Sequence, residues 1–286
     1  MKIDTLISGL SFTECPRWHN NRLWFSDFYT NTVFSIDSAG NSRTELQLDD
    51  NPGGLGWAPN GDLRVISQVK KQLLGYDGKA IYSVADLSAL AGGNCNDMVV
   101  ADDGSAYIGN FGFDIFATHA QPTSATLIYV SPNGEVSAAA QSMQFPNGSV
   151  ILDAEKPAAK TLVVAETMAN RLTAFSINDD GSLSDRRIWA DLSAEKNHSL
   201  SSAINSDVSP DGIASDPAGG IWVATVSNDL LKVMEGGEIA QRIVFDQTVI
   251  ACAVAADGSL YVCTTAHLNP VDCIKHRSAR IERVIF

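Results

Sequence analysis

Four oxygen-bearing side chains, Glu14, Asn96, Asn147 and Asp211, stand at matching points of a repeated pattern. Glu14 lies 9 residues before "LWFSDF", Asn96 10 before "AYIGNF", Asn147 15 before "LVVAET" and Asp211 10 before "IWVATV". Gly53 and Ala251 hold the same point ahead of "LRVISQ" and "LYVCTT", at 10 and 9 residues. Two carboxylates and two amides converging on one axis lose hydration and repel each other unless a positive ion compensates. Such oxygens suit hard divalent cations: Ca²⁺ foremost, with Mg²⁺, Mn²⁺ and Zn²⁺ also accommodated. Taken singly, Asn147 in "PNGS" and Asp211 in "PDGI" read as turn residues. Glu14 in "TECPRW" has no turn preference, and the four in register make a metal site the expectation.

The elements that would hold them follow from the repeat. Six strand runs, beginning at Leu23, Leu63, Ala106, Leu162, Ile221 and Leu260, recur at intervals of 40, 43, 56, 59 and 39 residues. Tight polar turns such as "HNNR", "PNGD", "DDGS" and "ADGS" precede most of them, the chemistry of β-hairpins. Further strand-like segments follow each run, giving about four strands per repeat, which is the size of a propeller blade. Long helical periodicity is absent. The expectation is an all-β fold, a six-bladed β-propeller, with residues 1–286 as one domain; a pair of β-sandwiches is the competing arrangement. The run "SARIERVIF" should pair with the N-terminal strand and close the ring, removing exposed sheet edges. The first strand of each blade then lines a central channel, and the oxygen-bearing residues gather at one mouth.

The connections after the six strand runs emerge at that mouth and roof it. The longest, over residues 111–123, carries Phe111, Phe113, Phe116 and His119 and is expected to act as a lid. His267 lies on another of these roof loops. Phe113 and His267 are therefore expected to touch a ligand.

Composition narrows the partners. The chain has 286 residues, 45% of them hydrophobic, and a formal net charge of −13. With no offsetting basic cluster, nucleic acid is not expected as a partner. No apolar run reaches the length of a membrane span, and no secretory leader is expected at the N-terminus. The five cysteines include no CxxC pair, so neither a disulfide framework nor a zinc knuckle is expected, and a cytoplasmic location fits best. There is no GxSxG elbow and no spaced histidine set.

The stretches "ECPRW…LWFSD", "CNDMVVADDGSAYIGN", "FPNGSVI…TLVVAETMANRLTAF" and "PDGIASDPAGGIWVA" span nearly the whole chain. In that order they resemble the senescence-marker-protein/gluconolactonase (regucalcin-like) family of six-bladed propellers. The resemblance implies one divalent metal held by Glu14, Asn147 and Asp211, with Asn96 contacting the metal-bound water or the substrate. It also implies hydrolysis of a sugar lactone or a similar cyclic ester; some relatives take other esters or phosphotriesters. Sugar-lactonase members often carry Arg where this chain has Asn94. That departure turns the expectation toward a less anionic or more apolar lactone, with Asn94 and Asn96 on the substrate side.

The expected chemistry is attack of a metal-activated water on a small-molecule lactone or ester. The cation would polarise the carbonyl and stabilise the oxyanion. Asp211 is the expected proton acceptor, with Asp97 as runner-up, and Asn96 would orient the substrate. The alternatives are an organophosphate-type ester hydrolase on the same site, or a propeller that binds metal and ligand without turnover.

Overall fold

A computed structural model describes residues 1–153, 160–197 and 207–286. His198 and most of the enlarged turn ahead of Leu162 lie outside the described residues. The fold is an all-β propeller. Four sheets have four strands each, ordered as in the chain. They begin with Thr13–His19, Pro52–Trp57, Cys95–Val100 and Pro146–Asp153. A fifth sheet has seven strands, from Lys2–Leu10 through Ala279–Ile285, Leu260–Thr265, Ile239–Val254, Ser227–Val233 and Ile221–Ala224 to Ile213–Ser215.

The hairpins form for local reasons. In "HNNR", Asn20 and Asn21 both take positive φ, 49° and 60°, the backbone of a primed two-residue turn whose twist matches its strands. The strands then bury their β-branched and aromatic residues between sheets. Val163, Leu172 and Trp189 of one sheet share a cluster with Ile213, Val223 and Leu231 of the next. At such burial each side chain contributes on the order of 2 kcal/mol relative to exposure.

Closure takes two forms. Lys2–Leu10 pairs antiparallel with Ala279–Ile285, from Lys2 opposite Ile285 to Leu10 opposite Ala279. The terminal strands thus cover each other's edges, as the sequence led one to expect. Around the axis, the innermost strands pack in cyclic order: Thr13–His19, Pro52–Trp57, Cys95–Val100, Pro146–Asp153, Ile213–Ser215, Ile239–Val254, and back to Thr13–His19. Glycine permits this close approach. A Cβ on Gly148 would lie 2.5 Å from Ile213 N and 2.6 Å from Asp211 O, and one on Gly212 would lie 2.3 Å from the Ala251 Cβ. Instead, Gly148 N donates to Asp211 O at 3.2 Å and Gly212 N to Ile250 O at 3.0 Å. These contacts bring Asn147 and Asp211 side by side.

The single α-helix among the described residues, Pro270–His276, is a short cap packed against the 3-10 turn Phe28–Thr30. No helix among the described residues is long and apolar enough to cross a membrane. All five cysteines are free and buried.

Candidate functional site

The innermost strands aim their side chains into the channel through β-bulges. Pairing registers shift between Glu14 and Arg17, between Cys95 and Met98, and between Pro146 and Ser149. Glu14, Asn96 and Asn147 each sit at such a break. A bulge inserts an extra residue and turns the side chain away from the ladder. The strain is visible at Cys15, whose φ of 54° places a non-glycine residue in the left-handed region.

The four residues converge. Glu14, Asn96, Asn147 and Asp211 are 4%, 2%, 3% and 6% exposed and line one cavity of about 300 Å³. Asn96 Nδ2 donates to Asn147 Oδ1 at 2.9 Å, and Asn147 Nδ2 donates to Thr167 Oγ1 at 3.3 Å. Thr167 Oγ1 in turn donates to Pro210 O at 2.7 Å. That chain fixes the Asn147 amide against the segment carrying Asp211.

The carboxyls of the site are poorly compensated. Burial and the neighbouring Asp211 and Asp97 carboxylates push Glu14 well above the usual carboxylate range. Burial and Asp97 push Asp211 up to about 8. Such a pair cannot hold two negative charges at neutral pH without a counter-ion. Asp211 Oδ1 and Asn96 Oδ1 are buried acceptors with no hydrogen-bond partner. Buried oxygens are almost always satisfied, so two orphaned acceptors beside two destabilised carboxylates fit an oxygen-ligated cation. Among the described residues no group of three or more His, Cys, Asp and Glu is placed to hold a metal ion together; a cation here would take a mixed carboxylate and amide donor set.

Asp97 takes a different role from its neighbour Asn96. Its Oδ1 accepts from Arg17 Nη2 at 2.6 Å, and it does not line the cavity. Cys15 and Cys95 flank the site, but burial pushes both thiols up, Cys95 to about 12, which keeps them neutral and poor as nucleophiles.

The roof divides the expected ligand contacts. Asn94 lines the cavity, as do Phe111 and Phe116 of the long loop. Phe113 and His267 do not. Phe113 instead meets the edge of Phe145 at 6.3 Å between ring centroids, and His267 stacks on His276 at 4.7 Å. The residue after His267, Leu268, lines the cavity in its place. Sequence reasoning passed over Phe145, which lines the cavity and stacks on Phe111 at 4.8 Å. It also passed over Asn51, Gln68 and Thr167. Phe145 directly precedes the "PNG" motif, and Gln68 and Thr167 end the runs "LRVISQ" and "LVVAET" at the mouth side, positions that could have flagged them; Asn51 carries no sequence signal.

Residues 12–267 match the model of the SMP-30/gluconolactonase/LRE-like region. A comparison with curated protein sequences finds no match. Among solved structures, a luciferin-regenerating enzyme superposes with a TM-score of 0.80 at 16% identity, over 100% of this chain and 95% of that one. The calcium-binding protein regucalcin from Agrobacterium tumefaciens gives 0.76 at 18%, over 98% and 92%. A gluconolactonase from Xanthomonas campestris gives 0.73 at 19%, over 98% and 88%. At these identities the structures share the fold with this chain. The family model covers most of its length, and the chain belongs to the SMP-30/gluconolactonase/LRE-like family.

Proposed function

We propose that this member of the SMP-30/gluconolactonase/LRE-like family is a hydrolase that opens a lactone or similar small ester. The observation that carries this is the buried Glu14–Asp211 pair, with the unpartnered oxygens of Asp211 and Asn96 at the floor of the cavity. Glu14, Asn147 and Asp211 would hold one divalent cation, which when bound supplies Lewis-acid polarisation of the ester carbonyl and charge neutralisation. Ca²⁺ is the first candidate, in keeping with the calcium-binding neighbour.

The chain's own groups then have separate tasks. The Asp211 carboxylate accepts a proton from the attacking water as the C–O bond forms. The same proton passes to the ring oxygen as the C–O ester bond breaks, leaving a hydroxy acid and a carboxylate ready for another cycle. Asn96, whose Nδ2 donates to Asn147, has its Oδ1 free to accept a hydrogen bond from the attacking water or a substrate hydroxyl and so to orient it. Thr167 holds Asn147 in place. The aromatic roof excludes bulk water, which strengthens every electrostatic interaction below it.

The fold reading that goes with this is a six-bladed propeller in one domain. The seven-stranded sheet would count as two blades sharing Ile239–Val254, whose first part pairs with Ser227–Val233 and whose last part pairs with Leu260–Thr265.

The test is a pH-indicator assay on lactones, a phosphotriester and simple aryl esters, with each of Ca²⁺, Mg²⁺, Mn²⁺ and Zn²⁺ added after chelation. Cation-dependent lactone opening supports the reading. Turnover confined to the phosphotriester would move it to the rival hydrolase class. Tight cation binding without turnover of any substrate would favour a binding propeller.

A further inference from the structure

The cavity above the carboxylates is lined unevenly. One wall is made of neutral amides, Asn51, Gln68 and Asn94. Above the floor the rest of the lining is mostly apolar, with Phe12, Phe28, Phe111, Phe145, Val226 and Ile250, and the hydroxyl-bearing Tyr29 and Thr167 among them. Among the described residues that line it, none is Lys, Arg or His. The apolar surface continues outward. Phe116 and Met168 line the cavity, yet are 57% and 47% exposed. Large apolar side chains standing in solvent around a cavity mouth mark a binding entrance.

We infer that the ligand of this site is an uncharged lactone or ester bearing an aryl or alkyl substituent, not a polyhydroxylated or anionic sugar lactone; its reactive lactone or ester group rests on the hydrolase reading, and its apolar, uncharged character on the cavity lining. Two carboxylates at the floor and one divalent cation would cancel, leaving no positive charge for a substrate carboxylate or phosphate. A polyol would set its hydroxyls against phenyl faces and lose water hydrogen bonds that those walls cannot replace. The amide wall can meet one carbonyl or hydroxyl edge: the side chains of Asn51 and Asn94 are only partly buried, and Gln68 spends its Nε2 on Pro52 O at 3.1 Å, leaving its oxygen. A volume of about 300 Å³ stands at the low end for ligand cavities, so the substituent is a single ring or a short chain.

The test separates ligand class from catalysis. Calorimetry on the cation-loaded protein would compare 3,4-dihydroquinolin-2-one, a lactam that cannot be opened readily, with gluconolactam. Hydrolysis of dihydrocoumarin and of glucono-δ-lactone would be measured in parallel. The aryl lactam should bind at least tenfold more tightly, and Phe145→Ala and Phe116→Ala should each weaken it roughly tenfold or more, with circular dichroism unchanged. If it binds so while neither lactone is opened, the hydrolase reading falls and the ligand class stands. If the sugar lactam binds as well or better, the inference is overturned even where lactone hydrolysis is found. Failure of both lactams to bind also overturns it.

Discussion

Replacing Asp211 by asparagine should stabilise the metal-free protein while removing the proposed cation site. In the folded, cation-free chain, burial and Asp97 push the Asp211 carboxyl from 3.8 up to about 8, and Glu14 rises with it. In the unfolded chain both carboxyls titrate near 4. Between about pH 4 and 8 the folded state therefore holds more protons than the unfolded state, so stability falls as pH rises through that window. At about 1.4 kcal/mol per tenfold, the displacement of Asp211 is worth on the order of 5 kcal/mol at pH 8 and above. The replacement amide carries no charge to desolvate, so chelated Asp211→Asn protein should keep most of that stability, offset by about 1–3 kcal/mol for imperfect hydrogen bonding. The assay is urea denaturation of chelated protein from pH 5 to 9. The wild type should weaken steeply with pH and the variant less steeply, because Glu14, raised first by its own burial, still titrates there, with the curves crossing on the alkaline side. Adding Ca²⁺ should restore the wild type and leave the variant unmoved. A wild-type profile flat in pH, or a variant that still gains stability from Ca²⁺, would refute the reasoning.

Other outcomes follow from the same contacts. Cation binding near pH 7 should release protons, because the ligand carboxyls must ionise; the apparent affinity should rise with pH, and calorimetry in two buffers of different ionisation enthalpy reads the proton count. Arg17→Met should cost about 3–5 kcal/mol by leaving Asp97, whose side chain is 3% exposed, without its partner; adding Asp97→Asn should recover most of it, and equal loss in both proteins would argue against a charge effect. Glu166 is also buried, which alone would raise its pKa, yet Thr173, the Gln144 backbone N–H and Arg171 together hold it below 4.5. Its contribution is present above the unfolded pKa and lost as pH falls through the lower folded value, so Glu166→Gln should flatten the acid limb of the denaturation profile. Gly148→Ala should lower cation affinity, since its Cβ would displace the segment bearing Asp211; unchanged affinity would show that the site does not depend on that close approach.

Much of this was legible in the sequence because propeller repeats leave a periodic trace. The strand runs, the "HNNR" turn and the pairing of "SARIERVIF" with the N-terminal strand all follow from local chemistry. So did the convergence of Glu14, Asn96, Asn147 and Asp211, since equivalent repeat positions end up around one axis. The β-bulges that aim these side chains were not legible, because a register shift depends on the partner strand and leaves no mark in either strand alone. The roof was read only in part. Phe111, Phe116 and Asn94 reach the cavity, while Phe113 turns to the edge of Phe145 and His267 to His276. Neighbouring loop residues point in different directions, and only tertiary packing chooses between His267 and Leu268. The Arg17–Asp97 pair, 80 residues apart, was equally invisible, and it distinguishes a charge-paired Asp97 from the adjacent Asn96 that lines the cavity.

The most direct measurement is lactone hydrolysis by chelator-stripped protein, titrated with a divalent cation and followed beside the bound-cation stoichiometry. The rate should start near the uncatalysed level, rise with bound cation and saturate at one ion per chain, while Asp211→Asn stays at baseline throughout. Full turnover in the stripped protein, or in the Asp211→Asn variant, would contradict the central claim that the buried carboxylate pair holds the cation on which the chemistry depends.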